Sequence, residues 1–456
     1  MAIVCKFGGT SAKDGQTLER VVDNIILADE RRKVVVVSAQ AGITDKLIKA
    51  GSQQYSNDGN PEDLLINVME EYNRSASHFN LGDNFLKLHF DAMHRALANR
   101  VDGIQMYLDG VIPYGERFNA EILAAALRSR GANARVYYPE DIGMRTDGKF
   151  GGAKLLHDSY KKMEAALKAA LSRGEIAVLP GFYGVDAQGR FTILGRGASD
   201  ITGAHASYAV DAELYENWSD QNGILRAHPN VVEKPESIGN LTYREARELA
   251  ISGANILHQD TLIPLISKGI RLNVRNTFNP SHPGTYIGPT KTPNGHAVEA
   301  VAHRTDFAVV YLEKIGIENE VGYTSRVTEM FARHGLSIER SPDDNDSLAF
   351  IVPQNKGENM GKIAAVAREI EDAGLVDKIS IQYDRGLVCV VGEGMKDTPG
   401  VTAKVSGALA AANINIEMIV HGPSQRNITL GFHPDNVANA VRAIYNAYFG
   451  NSAGAK

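Results

Sequence analysis

The chain has two cysteines in 456 residues, Cys5 and Cys389, each inside an apolar strand-like run. That excludes a disulfide framework and predicts buried thiols in a reducing cytoplasm. Neither sign of charge dominates. Lys and Arg total 48 against 54 Asp and Glu, a net −6 with no basic block, which argues against a nucleic-acid or membrane-surface partner. No apolar run approaches the roughly 20 residues of a transmembrane helix. The N-terminus enters a strand pattern directly, with no basic segment, apolar core and cleavage site of a leader. The single tryptophan, Trp218, reads as a packing residue. Thirteen histidines show no metal-ligand spacing, and Asp343, Asp344 and Asp346 read as a solvated turn, so no metal-ligating set is expected. The motif GxxxxGK[ST] is missing, which excludes a P-loop fold.

What is present begins at Val4, where the sequence reads VCKFGGTS. A short apolar strand ends in Gly8-Gly9, and Leu18, Val21, Val22, Ile25 and Ile26 then recur at helical spacing. Strand, glycine turn and helix together aim backbone N–H groups and a positive helix end at an anion. Lys6 at the strand end points its ammonium the same way. The run Lys33–Ser38 reads as a central parallel strand feeding the polar loop SAQAGITD at 38–45. A long helical insertion, about 61–109, precedes a strand end, a loop at Tyr114–Arg117 and an alanine-rich helix. Strands at 134–138 and 176–180 flank a helix near 155–173. The glycine-rich stretch LGRGASD at 194–200 enters a further helix, and a strand at 212–218 leads into Ser219-Asp220.

This alternation predicts an α/β domain, a mainly parallel sheet between helices, ending with a strand at 271–276 and a Gly/Pro-rich linker. Its ligands are expected at the carboxyl ends of the strands, where every polar loop falls. Beyond residue 305 the pattern shortens into two βαββαβ-like units of about 70 residues. The boundaries expected are 1–290 for the first domain, 305–378 and 379–450 for the repeats.

The loops collect residue types that phosphoryl transfer requires: Lys6 with Gly8 and Gly9, Ser38, Thr44, Glu116, Phe182, the segment Arg196 to Asp200, and Ser219-Asp220. Lysine and backbone N–H groups stabilise charge on a moving phosphoryl group, and an aspartate orients a lysine or metal. Arg196 and Glu116 suit a zwitterion, guanidinium for carboxylate and carboxylate for ammonium. A small amino acid fits that pairing.

KFGGTS at 6–11, the loop at 38–45, GER at 115–117, LGRGASD at 194–200 and SD at 219–220, followed by the tandem repeat, resemble the ordered motifs of aspartate kinases. The resemblance implies an amino-acid-kinase fold followed by two ferredoxin-like ACT domains, with ATP and Mg²⁺ as cofactors, L-aspartate as substrate and 4-phospho-L-aspartate as product. It implies that Lys6 and Asp200 are catalytic, and that Ser38, Thr44, Glu116, Phe182, Arg196, Gly197, Ala198 and Ser199 line the amino-acid pocket. Lys6, Gly8, Gly9, Ser11, Ser219, Asp220, Leu225, Arg226 and Asn255 are the nucleotide-side positions. Departures concentrate there. Leu225 stands where the family has a tyrosine, His228 an aspartate, Asn230 an arginine, and Asn255 a lysine, while Arg226 is near enough in sequence to replace one lost cation. Altered nucleotide affinity or base preference is the expectation. Lysine or threonine binding at the ACT units and a homodimer are also implied. The alternatives are a paralogous kinase for another amino-acid carboxylate and an ACT-based amino-acid sensor.

Overall fold

The computed structural model describes residues 2–195, 197–254 and 257–450. It divides into two compact units. The first comprises Met1–Ile224, Ser237–Ala250 and Asn255–Thr292; the second comprises Leu225–Glu236, Ile251–Ala254 and Pro293–Lys456.

The first unit is built on an eight-stranded sheet. Its strands are β1 (Ala2–Phe7), β2 (Arg32–Val37), β3 (Ala134–Val136), β4 (Ile176–Pro180), β7 (Leu214–Ser219), β8 (Asn240–Thr242), β9 (Arg271–Asn276) and β10 (Thr285–Gly288); β5 (Tyr183–Val185) and β6 (Phe191–Ile193) form a separate hairpin. The sheet order is β3-β4-β2-β1-β7-β9-β10-β8. Neighbours from β3 to β9 are parallel, and β10 runs antiparallel to β9. Val34 to Val37 are all buried, as a strand covered by helices on both faces requires. Ile3, Cys5 and Phe7 share one core with Leu18, Val21, Val22, Ile25 and Ile26, the face expected from helical spacing.

The chain winds outward from β1 to β2 and β4 on one side, then to β7 and β9 on the other. β1 is therefore the topological switch point, and the crevice beyond its carboxyl end is the place for a ligand. β1, β2, β4 and β7 end at Phe7, Val37, Pro180 and Ser219, all on that edge. Both cysteines are buried, and no helix of the described residues is long and apolar enough to cross a membrane.

Three expectations shift. Tyr114–Arg117 is not a loop after a strand. It is the first turn of helix Tyr114–Ser129, with Pro113 at the N-cap and helix Ile104–Val111 before it. Gly8-Gly9 is followed by a 3₁₀ turn, Thr10–Ala12, and the α-helix starts only at Gly15, where the Asp14 side chain accepts from Thr17 N at 2.7 Å. The strand at 271–276 is not the last. β10 continues the sheet between the segments 279–284 and 288–295 read as linker, because Thr285–Gly288 pairs with β8 and β9 despite the prolines around it.

The second unit has a six-stranded sheet in the order β12-β13-β11-β14-β16-β15, from β11 (Ala300–Glu313), β12 (Asp343–Asp344), β13 (Ser347–Pro353), β14 (Lys378–Val391), β15 (Met418–His421) and β16 (Asn427–Phe432). β11 and β14 are each 14 residues long and run through both halves of the sheet. Ala300–Arg304 pairs with Leu387–Val391, and after a register shift Val309–Glu313 pairs with Lys378–Gln382. Asp306, at φ 75°, sits in that shift. The first strand therefore begins earlier than Phe307. Its leading part packs Val301 into a core with Val388, Val390 and Val405, while Val310 and Leu312 join a core with Val327, Phe350 and Ile363. Ala227 and Val232, from the segment 225–236, belong to the first of these cores.

Candidate active site

A cavity of about 330 Å³ opens at the switch point, lined by Lys6 and Gly9, the loop Ser38 to Asp45, Glu116, Phe182 and Gly197 to Asp200. Lys6, Ser38, Thr44, Glu116, Phe182, Gly197, Ala198, Ser199 and Asp200 are thus brought together around one space. Arg196 and Asn255 lie outside the described residues.

Each wall has a local cause. Gly197 takes φ +69° as the N-cap of helix Ala198–Val210, a conformation suited to glycine. That places Ser199 and Asp200 in the first turn, beside the free N–H groups of the helix end. Asp200 Oδ1 lies 2.5 Å from Lys6 Nζ, with both side chains about one-tenth exposed. Oδ1 makes no further hydrogen bond, so the contact is an ion pair. Gly9 brings the backbone against the loop: a Cβ there would sit 3.1 Å from Ala39 O. Gly181 does the same for the strand end, where a Cβ would meet Ser199 Oγ at 2.8 Å.

Helix Tyr114–Ser129 anchors the opposite wall. Tyr72 Oη accepts from Gln40 N at 3.1 Å and donates to Gly115 O at 2.8 Å, and Asn119 Nδ2 donates to Ser38 O at 2.8 Å. Together these three bonds tie the loop 38–45 to the helix start. Glu116 is 2% exposed, and its Oε2 is buried with no hydrogen-bond partner. Burial raises its pKa to about 8, offset only in part by the N–H groups of Ala39 and Glu116 itself. A buried carboxyl group without a counter-charge is held ready for a cation.

Phe182 sits at φ +81°, a left-handed conformation that costs a bulky side chain on the order of 1–3 kcal/mol. The backbone holds it there: Phe182 N donates to Thr202 Oγ1 at 3.2 Å, and Leu194 N donates to Phe182 O at 2.9 Å.

The nucleotide-side positions separate. Gly8 N donates to Trp218 O at 3.2 Å, which joins the glycine turn to the end of β7 where Ser219 and Asp220 follow. Ser11 is fully buried and bonds Trp218 O at 3.2 Å while accepting from Thr277 at 2.7 Å, so it fastens the turn. Leu225 and Arg226 belong to the second unit. Arg226 is 5% exposed; it donates to Glu299 O at 2.9 Å, pairs with Glu299 Oε2 at 3.2 Å, and lies 4.7 Å from the Phe449 ring centroid. Its guanidinium is engaged inside that unit, not free as a substitute cation for phosphate.

Sequence reasoning missed three structural residues: Tyr72, Asn119 and Trp218, whose carbonyl accepts from the glycine turn. Their partners lie 32 to 207 residues away, and no local pattern marks them. Glu216 is a fourth. It is buried in β7 beside β1 and receives Trp218 Nε1 and Arg275 Nη1, each at 3.1 Å, with Cys5 Sγ at 3.6 Å.

The amino acid kinase family is matched over residues 1–276 and an ACT domain over residues 388–448. A relative from Bacillus subtilis (strain 168), aspartokinase 3, is 33% identical over 453 residues, with 98% of each chain covered. The crystal structure of Clostridium acetobutylicum aspartate kinase superposes with a TM-score of 0.80 at 30% identity, covering 98% of this chain and all of that one. The Escherichia coli aspartokinase III structures are 25% identical over 98% of this chain, with TM-scores of 0.84 for the complex with aspartate and ADP (R-state) and 0.77 for that with lysine and aspartate (T-state). The strand order, the cavity at its switch point and these matches lead to one conclusion: the chain belongs to the amino acid kinase family, in its aspartate kinase branch with C-terminal ACT domains.

Proposed function

We propose that the chain transfers the γ-phosphoryl group of ATP to the side-chain carboxylate of L-aspartate, forming 4-phospho-L-aspartate and ADP. The observation that carries this reading is the buried, unpartnered Oε2 of Glu116 lining the same cavity as the Lys6–Asp200 pair. The substrate ammonium supplies the missing partner of Glu116, and the hydroxyls of Ser38, Thr44 and Ser199 orient the rest. A carboxylate oxygen attacks the γ-phosphorus, the bond to the β-phosphate oxygen breaks, and ADP leaves with that electron pair. Lys6 and the N–H groups at Gly9 and the start of helix Ala198–Val210 stabilise the charge on the phosphoryl oxygens. Asp200 holds the lysine ammonium in place.

Among the described residues no group of three His, Cys, Asp or Glu could form a metal cage. That fits Mg²⁺ carried mainly by the nucleotide phosphates, the usual mode for this ion. When bound it would neutralise charge on the nucleotide phosphates. Ser219 and Asp220, beside the glycine turn, are the residues assigned to the nucleotide, and Leu225 in place of tyrosine is the basis for expecting altered base preference.

Regulation is assigned to the second unit. Its sheet carries a cavity of about 580 Å³ whose lining includes Asp343, Asp344, Glu417 and Arg385. Carboxylate and guanidinium side by side suit a free amino acid, and lysine or threonine is the proposed effector. A homodimer that covers the open edges of this sheet completes the reading.

The test is ATP- and Mg²⁺-dependent formation of aspartyl hydroxamate from L-aspartate in hydroxylamine. Turnover lost in Lys6→Ala supports the assignment, and no turnover by the wild-type chain overturns it. Parallel kcat/KM values for ATP and GTP measure the base preference.

A further inference from the structure

Arg117 follows the carboxylate that the cavity uses, yet its own side chain is outside the cavity. Its Nη1 donates to Glu140 Oε1 at 2.6 Å and to Tyr183 Oη at 2.6 Å, and Tyr183 Oη donates to Glu140 Oε2 at 3.1 Å. The three groups close a triangle. Around it stand aromatic rings: the guanidinium carbon is 3.9 Å from the Tyr138 centroid, 5.3 Å from Phe191 and 5.9 Å from Tyr114. Arg117 Nε is buried with no hydrogen-bond partner, so a carboxylate, a hydroxyl and ring faces hold the group instead of a complete fork.

The sequence neighbours of the triangle explain what it does. Arg117 is one residue after Glu116, and Tyr183 is one residue after Phe182. A single bond between Arg117 and Tyr183, 66 positions apart, therefore links the wall that receives the ammonium to the aromatic wall held at φ +81°. The other ties of the helix start, through Tyr72 and Asn119, reach the loop 38–45 and not Phe182.

We propose that Arg117 is a positioning residue for substrate length: through Tyr183 it fixes Phe182 relative to Glu116, so that the cavity accepts a four-carbon amino dicarboxylate and rejects the five-carbon homologue. This rests on the kinase reading above. Loosening the link lets Phe182 relax, widens the space by about a methylene, and leaves Lys6, Asp200 and the nucleotide contacts as they are.

The experiment compares wild type, Tyr183→Phe, Arg117→Lys and Arg117→Met in the full-length chain. Each is assayed for kcat and KM with L-aspartate and L-glutamate and for KM of ATP. Tyr183→Phe keeps the ring and removes only the oxygen that bonds Arg117 and Glu140, so it carries the test if Arg117→Met fails to fold. The expected result is a rise in KM for aspartate with kcat within a few-fold of wild type and KM of ATP unchanged. The aspartate-to-glutamate ratio of kcat/KM should fall about tenfold, the usual worth of one methylene. An unchanged ratio in folded Tyr183→Phe overturns the proposal, as does a joint rise in KM for aspartate and ATP, which is what general loosening produces. Failure of the wild-type chain to turn over aspartate overturns the kinase reading itself and this proposal with it. Wild-type turnover with an unmoved ratio overturns only the role of Arg117.

Discussion

Lys6 Nζ and Asp200 Oδ1 stand 2.5 Å apart, joining the end of the central strand to the first turn of helix Ala198–Val210. Both are nearly buried, so each is the other's main source of charge compensation. Removing one strands the other, and a group needed only while the phosphoryl moves is lost.

Lys6→Ala and Asp200→Asn are therefore expected to lower kcat by about 10²–10³-fold, the scale of losing one pre-oriented charge-stabilising donor. KM for aspartate should change only a few-fold, because neither residue receives the ammonium. Initial rates of hydroxamate formation check both. A Lys6→Ala enzyme with wild-type kcat would remove this residue from the chemistry.

Glu116 makes the reaction pH-dependent. Its carboxyl group, raised to about 8 by burial, is mostly protonated in the free enzyme at neutral pH, while the substrate ammonium requires the carboxylate. The kcat/KM for aspartate should rise about tenfold per unit from pH 6 towards 8 and then level. Glu116→Gln should flatten that limb and reduce kcat/KM by at least about 10²-fold, since the ammonium then lacks its counter-charge. A limb that survives the substitution would have to come from another group.

The same shift has a stability consequence of opposite sign. The folded pKa lies above the unfolded value of 4.5, so the folded chain binds the proton more tightly. Stability attributable to this group falls as pH rises from about 4.5 to 8, by at most about 5 kcal/mol. Glu116→Gln should match wild type in apparent Tm near pH 4.5 and exceed it near pH 8.5. Thermal denaturation at the two pH values reads the difference directly.

Gly181→Ala places a methyl group 2.8 Å from Ser199 Oγ, closer than packed atoms approach. Ser199 must move, and a loss of aspartate affinity of about tenfold is expected with smaller effects on KM of ATP. Steady-state kinetics with each substrate varied in turn distinguishes this from general destabilisation.

Arg226→Ala takes the guanidinium away from Glu299, whose fully buried side chain keeps the Asn294 amide as a partner. Breaking a buried ion pair is destabilising, and the remaining partner holds the loss below the roughly 3–5 kcal/mol of a stranded charge. A lower apparent Tm is expected, with KM of ATP within a few-fold of wild type. A large KM change at unchanged Tm would instead return Arg226 to the phosphates.

The valine strand at 32–37 and the polar loops after β1, β2, β4 and β7 were legible because parallel strands bury both faces and present their loops on one edge. That edge placed Lys6, Thr44, Phe182, Ser199 and Asp200 around a common space before any coordinates. Glu116 was legible as a residue type but not as part of a helix, since Pro-Tyr-Gly reads as a turn and only packing of Gly115 against Ala39 shows why the helix starts there. The prolines around Thr285–Gly288 hid β10, which lies between β9, the strand just before it in sequence, and β8. Arg226 and Arg117 illustrate the larger gap. Their partners Glu299 and Tyr183 lie 73 and 66 residues away, and an arginine in a sequence does not announce which anion it has already met.

The long strands of the second unit also impose an order on biosynthesis. Ala300–Arg304 leaves the ribosome first, yet its partner Leu387–Val391 emerges more than eighty residues later. In the interval the segment from Val309 to Gln382 can close its own half of the sheet. Translation thus completes the half built on Val309–Glu313 while the leading part of β11 waits, and a chain released before Leu387–Val391 would hold a finished half beside an unpaired strand segment. Quality-control proteases and chaperones would read such a nascent product by that exposed edge.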